Sequence, residues 1–187
     1  IPAVAVTCVV DKSDSMGEEV EPGSTKLDLA RQAVLEAAET LNDHFLLSVI
    51  GFDTRAYRTV GPTPAGELES IRERMLRLSS SGGTSLYPAL EAAVTDLKSS
   101  DATIRHIIIL SDGLSEPGDF RSLIEDAHRS GITVSTVAVG NGSDRNLMAN
   151  IARWGGGRDY YADSMRNVPS IFAEETYIAS HEYARDE

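Results

Sequence analysis

Short apolar runs rich in β-branched residues alternate with amphipathic helical patterns along almost the whole chain, and this alternation restricts the fold more than any other feature. Residues 4–10 (VAVTCVV), 44–52 (HFLLSVIGF), 104–110 (IRHIIIL) and 133–139 (TVSTVAV) are strand-sized. Their apolarity is nearly continuous, which suits strands buried on both faces of a sheet. Residues 56–60 (AYRTV) and 159–162 (DYYA) are weaker runs, the second following Gly155, Gly156 and Gly157. Between the first two runs, residues 25–41 place Leu27, Ala30, Ala33, Val34, Ala37, Ala38 and Leu41 on one helical face. Thr25 and Asp28 stand at capping-box spacing and fix where that helix starts. Further helical patterns cover residues 67–78, 85–97, 120–130, 145–154 and 168 to about Tyr183. Such an order predicts a three-layer α/β sandwich, with a mostly parallel sheet of about six strands and helices on both faces. The few polar residues between 52 and 57 are too short for a crossover helix, so a hairpin and one short antiparallel edge strand are expected there. The stretch 61–66 (GPTPAG) reads as a loop.

A length of 187 residues fits one domain, spanning 1–187. Strand-like sequence from the first residues, with no initiator Met and no basic n-region, points to a piece of a longer protein and leaves localisation open. No apolar run approaches the roughly 20 residues of a membrane span, so no direct insertion by this stretch is expected. The 29 acidic residues outnumber the 17 basic ones, giving a formal charge of −12. A field of that sign disfavours nucleic acid and anionic membranes as partners and favours cations and basic partners, although solubility alone would account for it. The lone Cys8 excludes an internal disulfide and, inside an apolar run, reads as a small buried hydrophobe. His44, His106, His128 and His181 do not cluster and have no zinc spacing, so structural roles are expected. Trp154, Tyr160 and Tyr161 read as packing residues, and Glu18, Glu19 and Glu21 as a solvated acidic loop.

In open sheets of this class, ligands bind beyond the carboxyl ends of the strands, where strand order reverses. The first strand runs into Asp11-Lys12-Ser13-Asp14-Ser15, and the run 104–110 into Ser111-Asp112-Gly113. A third cluster, Ser81-Gly82-Gly83-Thr84-Ser85, opens the helix before that strand. A hard divalent cation takes oxygen ligands in near-octahedral array. Asp11 and Asp112 would supply two negative charges, and Ser13, Ser15 and Thr84 neutral hydroxyls. Alternate residues of an extended segment point the same way, so Asp11, Ser13 and Ser15 can face one ion together. Each piece by itself is also a generic turn or helix cap. Their joint occurrence at one sheet edge points to a metal site.

A buried strand ending in Asp-x-Ser-x-Ser, a later Gly-Gly-Thr and a strand ending in Ser-Asp-Gly together resemble the von Willebrand factor type A family. The resemblance covers essentially the whole chain, and all five positions of the family's metal-ion-dependent adhesion site are filled, by Asp11, Ser13, Ser15, Thr84 and Asp112. It implies a Rossmann-like domain that is not an enzyme, with Mg²⁺ (or Mn²⁺ or Ca²⁺) coordinating a carboxylate from an acidic residue of a protein partner. Asp14 departs from the pattern, standing where glycine is frequent, and is expected to point to solvent. The stretches HIIILSDG, GITVSTVAVG, GGGRDYYAD and IFAEET are similar to bacterial members within larger membrane-associated, glutamine amidotransferase-like proteins.

Two other readings compete. A phosphotransferase of the haloacid dehalogenase type also places an Asp after its first strand, but its second acid would stand where Ser13 is, so the proton-transfer group is missing. A structural domain whose cation only stabilises the loops is the other. No P-loop, dinucleotide fingerprint or nucleophile elbow occurs in the sequence. In some relatives of this fold the metal site is coupled to displacement of the C-terminal helix. Here Val168, Ile171, Phe172 and Ile178 would hold that helix to the sheet, and trimming after Ser170 is expected to change partner affinity as well as stability.

Overall fold

The computed structural model describes residues 3–182. In chain order the elements are β1 (Val4–Asp11), β2 (Glu19–Glu21), β3 (Ser24–Thr25), α1 (Lys26–Thr40), β4 (Leu46–Phe52), β5 (Ala56–Pro64), α2 (Leu68–Met75) and α3 (Leu86–Lys98). There follow β6 (Ile104–Ser111), α4 (Phe120–Arg129), β7 (Ile132–Val139), α5 (Arg145–Trp154), β8 (Gly156–Ala162) and α6 (Val168–Ser180). The sheet order is β5-β4-β1-β6-β7-β8, parallel throughout except for β5 against β4. This is the expected α/β architecture.

Alternation along each strand sorts the core onto two faces. On β6, Ile108 and Leu110 join the cluster under α1, α2 and α6, while Ile107 and Ile109 join the cluster under α3, α4 and α5. Both faces are covered, which is why the central runs are apolar without interruption. The Thr25–Asp28 capping box forms: the Thr25 hydroxyl accepts from the Asp28 N–H at 3.1 Å, and the Asp28 carboxylate from the Thr25 N–H at 2.9 Å. Cys8 is fully buried, and burial pushes its thiol up to about 12.

Three expectations are corrected. The antiparallel edge strand is not short: β5 continues through Gly61–Pro64, which the sequence presents as a loop. Pro62 and Pro64 are tolerated because an edge strand has an unpaired side, and register shifts opposite Leu47, Val49 and Ile50 absorb the irregularity. The acidic stretch after the first loop is not plain solvated coil, because Glu19 and Glu21 lie in a two-stranded antiparallel ribbon with Ser24 and Thr25. The last strand starts earlier, at Gly156. A Cβ on Gly157 would lie 2.0 Å from the Val134 carbonyl oxygen, so only glycine lets β8 approach β7 there.

The C-terminal helix ends at Ser180, and Tyr183 lies outside the described residues. Val168 and Phe172 hold it to the core as expected, with Ile171 packed partly buried against them. Its inner face also carries Glu175 and Thr176, both fully buried. Glu175 Oε2 meets His106 Nε2 at 2.8 Å, and His106 Nδ1 meets Thr133 Oγ1 at 2.6 Å. The Tyr160 hydroxyl donates to Glu175 Oε1 at 3.0 Å, and Arg158 makes an ion pair with the same carboxylate. His106 therefore has the structural role expected of it.

Candidate functional site

Strand order reverses between β1 and β6: the chain after β1 moves to β4 on one side, and the chain after β6 moves to β7 on the other. The crevice of such a sheet opens above that point. Asp11 ends β1 and Asp112 follows β6 directly, so the two carboxylates arrive there together. Asp11 is fully buried and Asp112 is 7% exposed.

Hydrogen bonds tie the two loops. The Asp11 carboxylate accepts the Ser13 backbone N–H on Oδ1 and the Ser111 hydroxyl on Oδ2, each at 2.8 Å. The Ser13 and Ser15 hydroxyls lie 3.3 Å apart, and Ser15 donates to Asp112 Oδ1 at 2.9 Å. A short 3-10 turn, Asp14–Gly17, carries the chain away, pinned by the fully buried Met16. Asp14 itself is exposed, as expected.

The third loop is laced to the first through backbone. Ser81 N–H donates to the Lys12 carbonyl at 2.9 Å, and Asp14 N–H to the Gly82 carbonyl at 3.0 Å. Gly82 has φ +77, and a Cβ there would press on the Asp53 carboxyl group at 3.2 Å, so the turn requires glycine. Thr84 is half-buried, with its Oγ1 3.4 Å from where a Gly113 Cβ would sit, so it borders the residue after Asp112. Its carbonyl accepts the Glu116 N–H at 2.9 Å, while its hydroxyl makes no hydrogen bond among the described residues. Thus Asp11, Ser13, Ser15 and Asp112 form one connected cluster, and Thr84 lies against the loop of Asp112.

Electrostatics add what the motif leaves out. Burial raises the pKa of Asp11; hydrogen bonds from Ser13 and Ser111 oppose this, and repulsion from Asp112 adds to it. A carboxylate pair held that way is relieved by a positive charge, and the fold already supplies one. The Lys26 ammonium, at the first residue of α1, donates to Asp112 Oδ2 at 3.1 Å and also pairs with Glu18 at 3.1 Å. Burial works against the Lys26 charge, but Asp112 and Glu18 outweigh it and hold its pKa above the ordinary value. Eighty-six positions separate Lys26 from Asp112, so no local signal announces the contact.

Lys12 is the second unannounced member. It alternates away from the Asp11–Ser13 face and is 6% exposed. Its ammonium donates to Asp53 Oδ2 at 2.9 Å and to Ser81 Oγ at 3.1 Å, beneath the Tyr57 ring at 4.8 Å. Asp53 follows β4 as Asp11 closes β1, and the register Asp11↔Phe52 puts Lys12 beside it. That register belongs to the fold and is not announced by the sequence.

The donor set suits a hard divalent cation: two carboxylates, three hydroxyls, no nitrogen or sulfur. No group of three or more His, Cys, Asp or Glu side chains able to hold a metal occurs among the described residues. Any cation here would therefore depend on the hydroxyls.

Comparison with known proteins agrees with this fold. The family model of the von Willebrand factor type A domain matches residues 5–174. A calcium-activated chloride channel regulator, 3A-1, of Mus musculus is 28% identical over 167 residues, 87% of this chain and 18% of that protein. The chain thus spans less than a fifth of that relative's length. Among solved structures, the conserved hypothetical protein BatB of Bacteroides thetaiotaomicron superposes with a TM-score of 0.81 at 20% identity, over 96% of this chain and all (100%) of that one. Proximal thread matrix protein 1 of the mussel byssus, described with a zinc-occupied MIDAS motif, gives 0.80 at 18% identity, over 95% of this chain and 46% of that one. With the family model matching nearly the whole chain and the strand order and loops in agreement, the chain belongs to the von Willebrand factor type A domain family.

Proposed function

We propose that the domain is a cation-dependent protein-binding module in which Asp11, Ser13, Ser15, Thr84 and Asp112 hold one divalent metal ion for a partner's carboxylate. The observation that carries this reading is the meeting of two buried carboxylates, bridged by serine hydroxyls, at the strand-order reversal. Asp11 and Asp112 neutralise a divalent charge formally. The three hydroxyls donate less charge than carboxylates would, so a bound ion would stay electrophilic and supply the attraction that an incoming carboxylate answers. Ser111 and the Ser13 N–H fix the Asp11 carboxylate, so it needs no reorganisation to serve as a ligand. Such outer hydrogen bonds orient metal ligands. Lys26 moderates the negative charge at the rim, which lowers the repulsion that an anionic partner meets. Magnesium is the favoured ion on ligand type, with Mn²⁺ and Ca²⁺ compatible with the same oxygens.

Calorimetric titration of Mg²⁺ and Mn²⁺ into chelator-stripped protein tests the reading, wild type beside Asp11→Ala and Thr84→Ala. Saturable one-site binding in the wild type is expected, lost in the first variant and weakened at least tenfold in the second, with both folded. Acetate or a glutamate peptide should then engage the Asp11 and Asp112 loops only with metal present. Absence of cation binding, or indifference to both substitutions, overturns the proposal.

A further inference from the structure

One cleft of this acidic molecule holds a cation that is unpaired among the described residues. A cleft of about 410 Å³ beside the candidate metal site is lined by Lys12, Arg58, Arg77, Tyr57, Ser79 and Ser81, among others, and by no acidic side chain. The chain carries −12 overall, and the basic side chains that face this pocket are those of Lys12 and Arg77. One of the two is partly spent. Lys12 pairs with Asp53, while Arg58, opposite Ile50 on β5, points to the α3 face and gives its Nε and Nη2 to Asp96 at 3.0 Å each. Arg77 is exposed, and its side chain enters no ion pair or hydrogen bond among the described residues. Ser81 accepts from Lys12, which leaves its own hydroxyl proton free to donate.

We infer that this cleft is an anion subsite that takes a second carboxylate of an acidic peptide segment whose first carboxylate is held at the metal; the inference rests on the metal-site reading above. Connectivity argues for one ligand across both places. Lys12 stands between Asp11 and Ser13, and Ser81 stands three residues before Thr84, so cleft and metal loops share a backbone. Residues two apart on an extended peptide lie roughly 7 Å apart and share a face, a span on the scale of the Lys12 side chain. Exposed apolar groups adjoin the cleft: Leu76 beside Arg77 is 68% exposed, and Tyr57 in the cleft 41%. Arginine with tyrosine is the composition that interface centres favour. A polypeptide uses such a rim, whereas a free inorganic anion does not. Two charged groups at the cleft would also place salt-sensitive attraction next to the metal, which raises the rate of encounter with an acidic partner.

Backbone-amide NMR tests the inference with a short unstructured peptide containing three glutamates, and the same peptide with glutamines as control. In metal-free wild-type protein the acidic peptide should shift the amides of Arg77, Ser79 and Ser81. Arg77→Glu alters no described intramolecular side-chain contact, so it leaves the fold intact, and it should abolish those shifts. With Mg²⁺ present, affinity should rise, and Arg77→Glu should weaken it roughly tenfold or more without changing the Mg²⁺ titration itself. If the cleft amides respond without metal and Mg²⁺ adds nothing, the metal reading fails and the subsite stands. If metal-dependent peptide binding is unaffected by Arg77→Glu and no cleft amide moves, the subsite is overturned and the metal reading stands.

Discussion

His106 Nε2 and Glu175 Oε2 lie 2.8 Å apart with both side chains fully buried, joining the middle of the sheet to the C-terminal helix. Burial would raise the Glu175 pKa, but His106 and Arg158 outweigh it and hold the carboxyl down at about 2, against an ordinary 4.5. Because the folded value is the lower one, the contribution is complete above about pH 4.5 and is lost as pH falls toward 2. A shift of that size corresponds to roughly 3 kcal/mol. Glu175→Gln is therefore expected to destabilise the fold by roughly 2–4 kcal/mol at neutral pH and to flatten the loss of stability between pH 4.5 and 2. Denaturant midpoints across that range check it; a variant with the wild-type pH profile would show that the carboxylate is not the group responsible. This substitution also improves on removal of the helix. Trimming after Ser170 would delete Phe172 and Glu175, which are core residues, and so would confuse coupling with collapse.

Lys26 is expected to set the balance between metal and partner. With its ammonium removed by Lys26→Met, Asp112 regains its full charge, and divalent cation affinity should rise about three- to tenfold at low salt. Affinity for an acidic peptide in the presence of metal should fall over the same comparison, since the rim becomes more negative. Paired titrations of Mg²⁺ and of peptide separate the two effects. A fall in both would mean that Lys26 serves chiefly to hold the loop.

The parts of the site that can be read from the chain are those whose position follows from strand ends. Asp11 and Asp112 each close a buried apolar run, and parallel neighbours bring such ends together without any further information. Lys26 and Lys12 are not legible in this way. Their partners are 86 and 41 positions distant, and a lysine after a helix cap or inside a polar loop looks the same whether solvated or paired. The second half of the edge strand was hidden for a local reason: Pro62 and Pro64 imitate a loop, and only the absence of an outer neighbour among the described residues makes them acceptable in β5. Glu175 was hidden by its helix, where the period of the surrounding apolar residues says nothing of a carboxylate turned inward to His106.

Gly157 tests the packing of the last strand pair. A Cβ there would meet the Val134 carbonyl oxygen at 2.0 Å and Ser135 Oγ at 2.6 Å, both on a central strand that cannot withdraw. The Arg158 N–H donates to that Ser135 hydroxyl at 3.0 Å, so the clash would also disturb the residue that pairs with Glu175. Gly157→Ala is expected to cost about 2–4 kcal/mol, measured as a shift in the urea midpoint with an unchanged slope. A neutral outcome would require β8 to have slid, which the loss of the Arg158–Glu175 pair would reveal.

Asp53 touches none of the five candidate ligands, yet it should influence them. Its carboxylate accepts Lys12 Nζ and the Arg55 N–H at 2.9 Å each, and its carbonyl accepts the Ser85 N–H at 2.7 Å. One residue thereby fixes the lysine between two candidate ligands and the backbone next to a third. Burial raises the Asp53 pKa, but Lys12 and the Arg55 N–H outweigh it, and the net shift is downward. The sign means that its stabilisation is present above the ordinary carboxylate range and fades as pH falls below it. Asp53→Asn leaves Lys12 a buried cation without a counter-charge, at a cost of roughly 2–4 kcal/mol. Cation affinity should drop as well, because Ser81 and Lys12 lose their common anchor and Thr84 is positioned less well. Asp53→Asn with Lys12→Met, which removes the stranded charge, should recover most of the stability. If it recovers the cation affinity too, the charge pair had acted on the site through stability alone; if it does not, the Lys12–Asp53 bridge is what aligns the first and third loops.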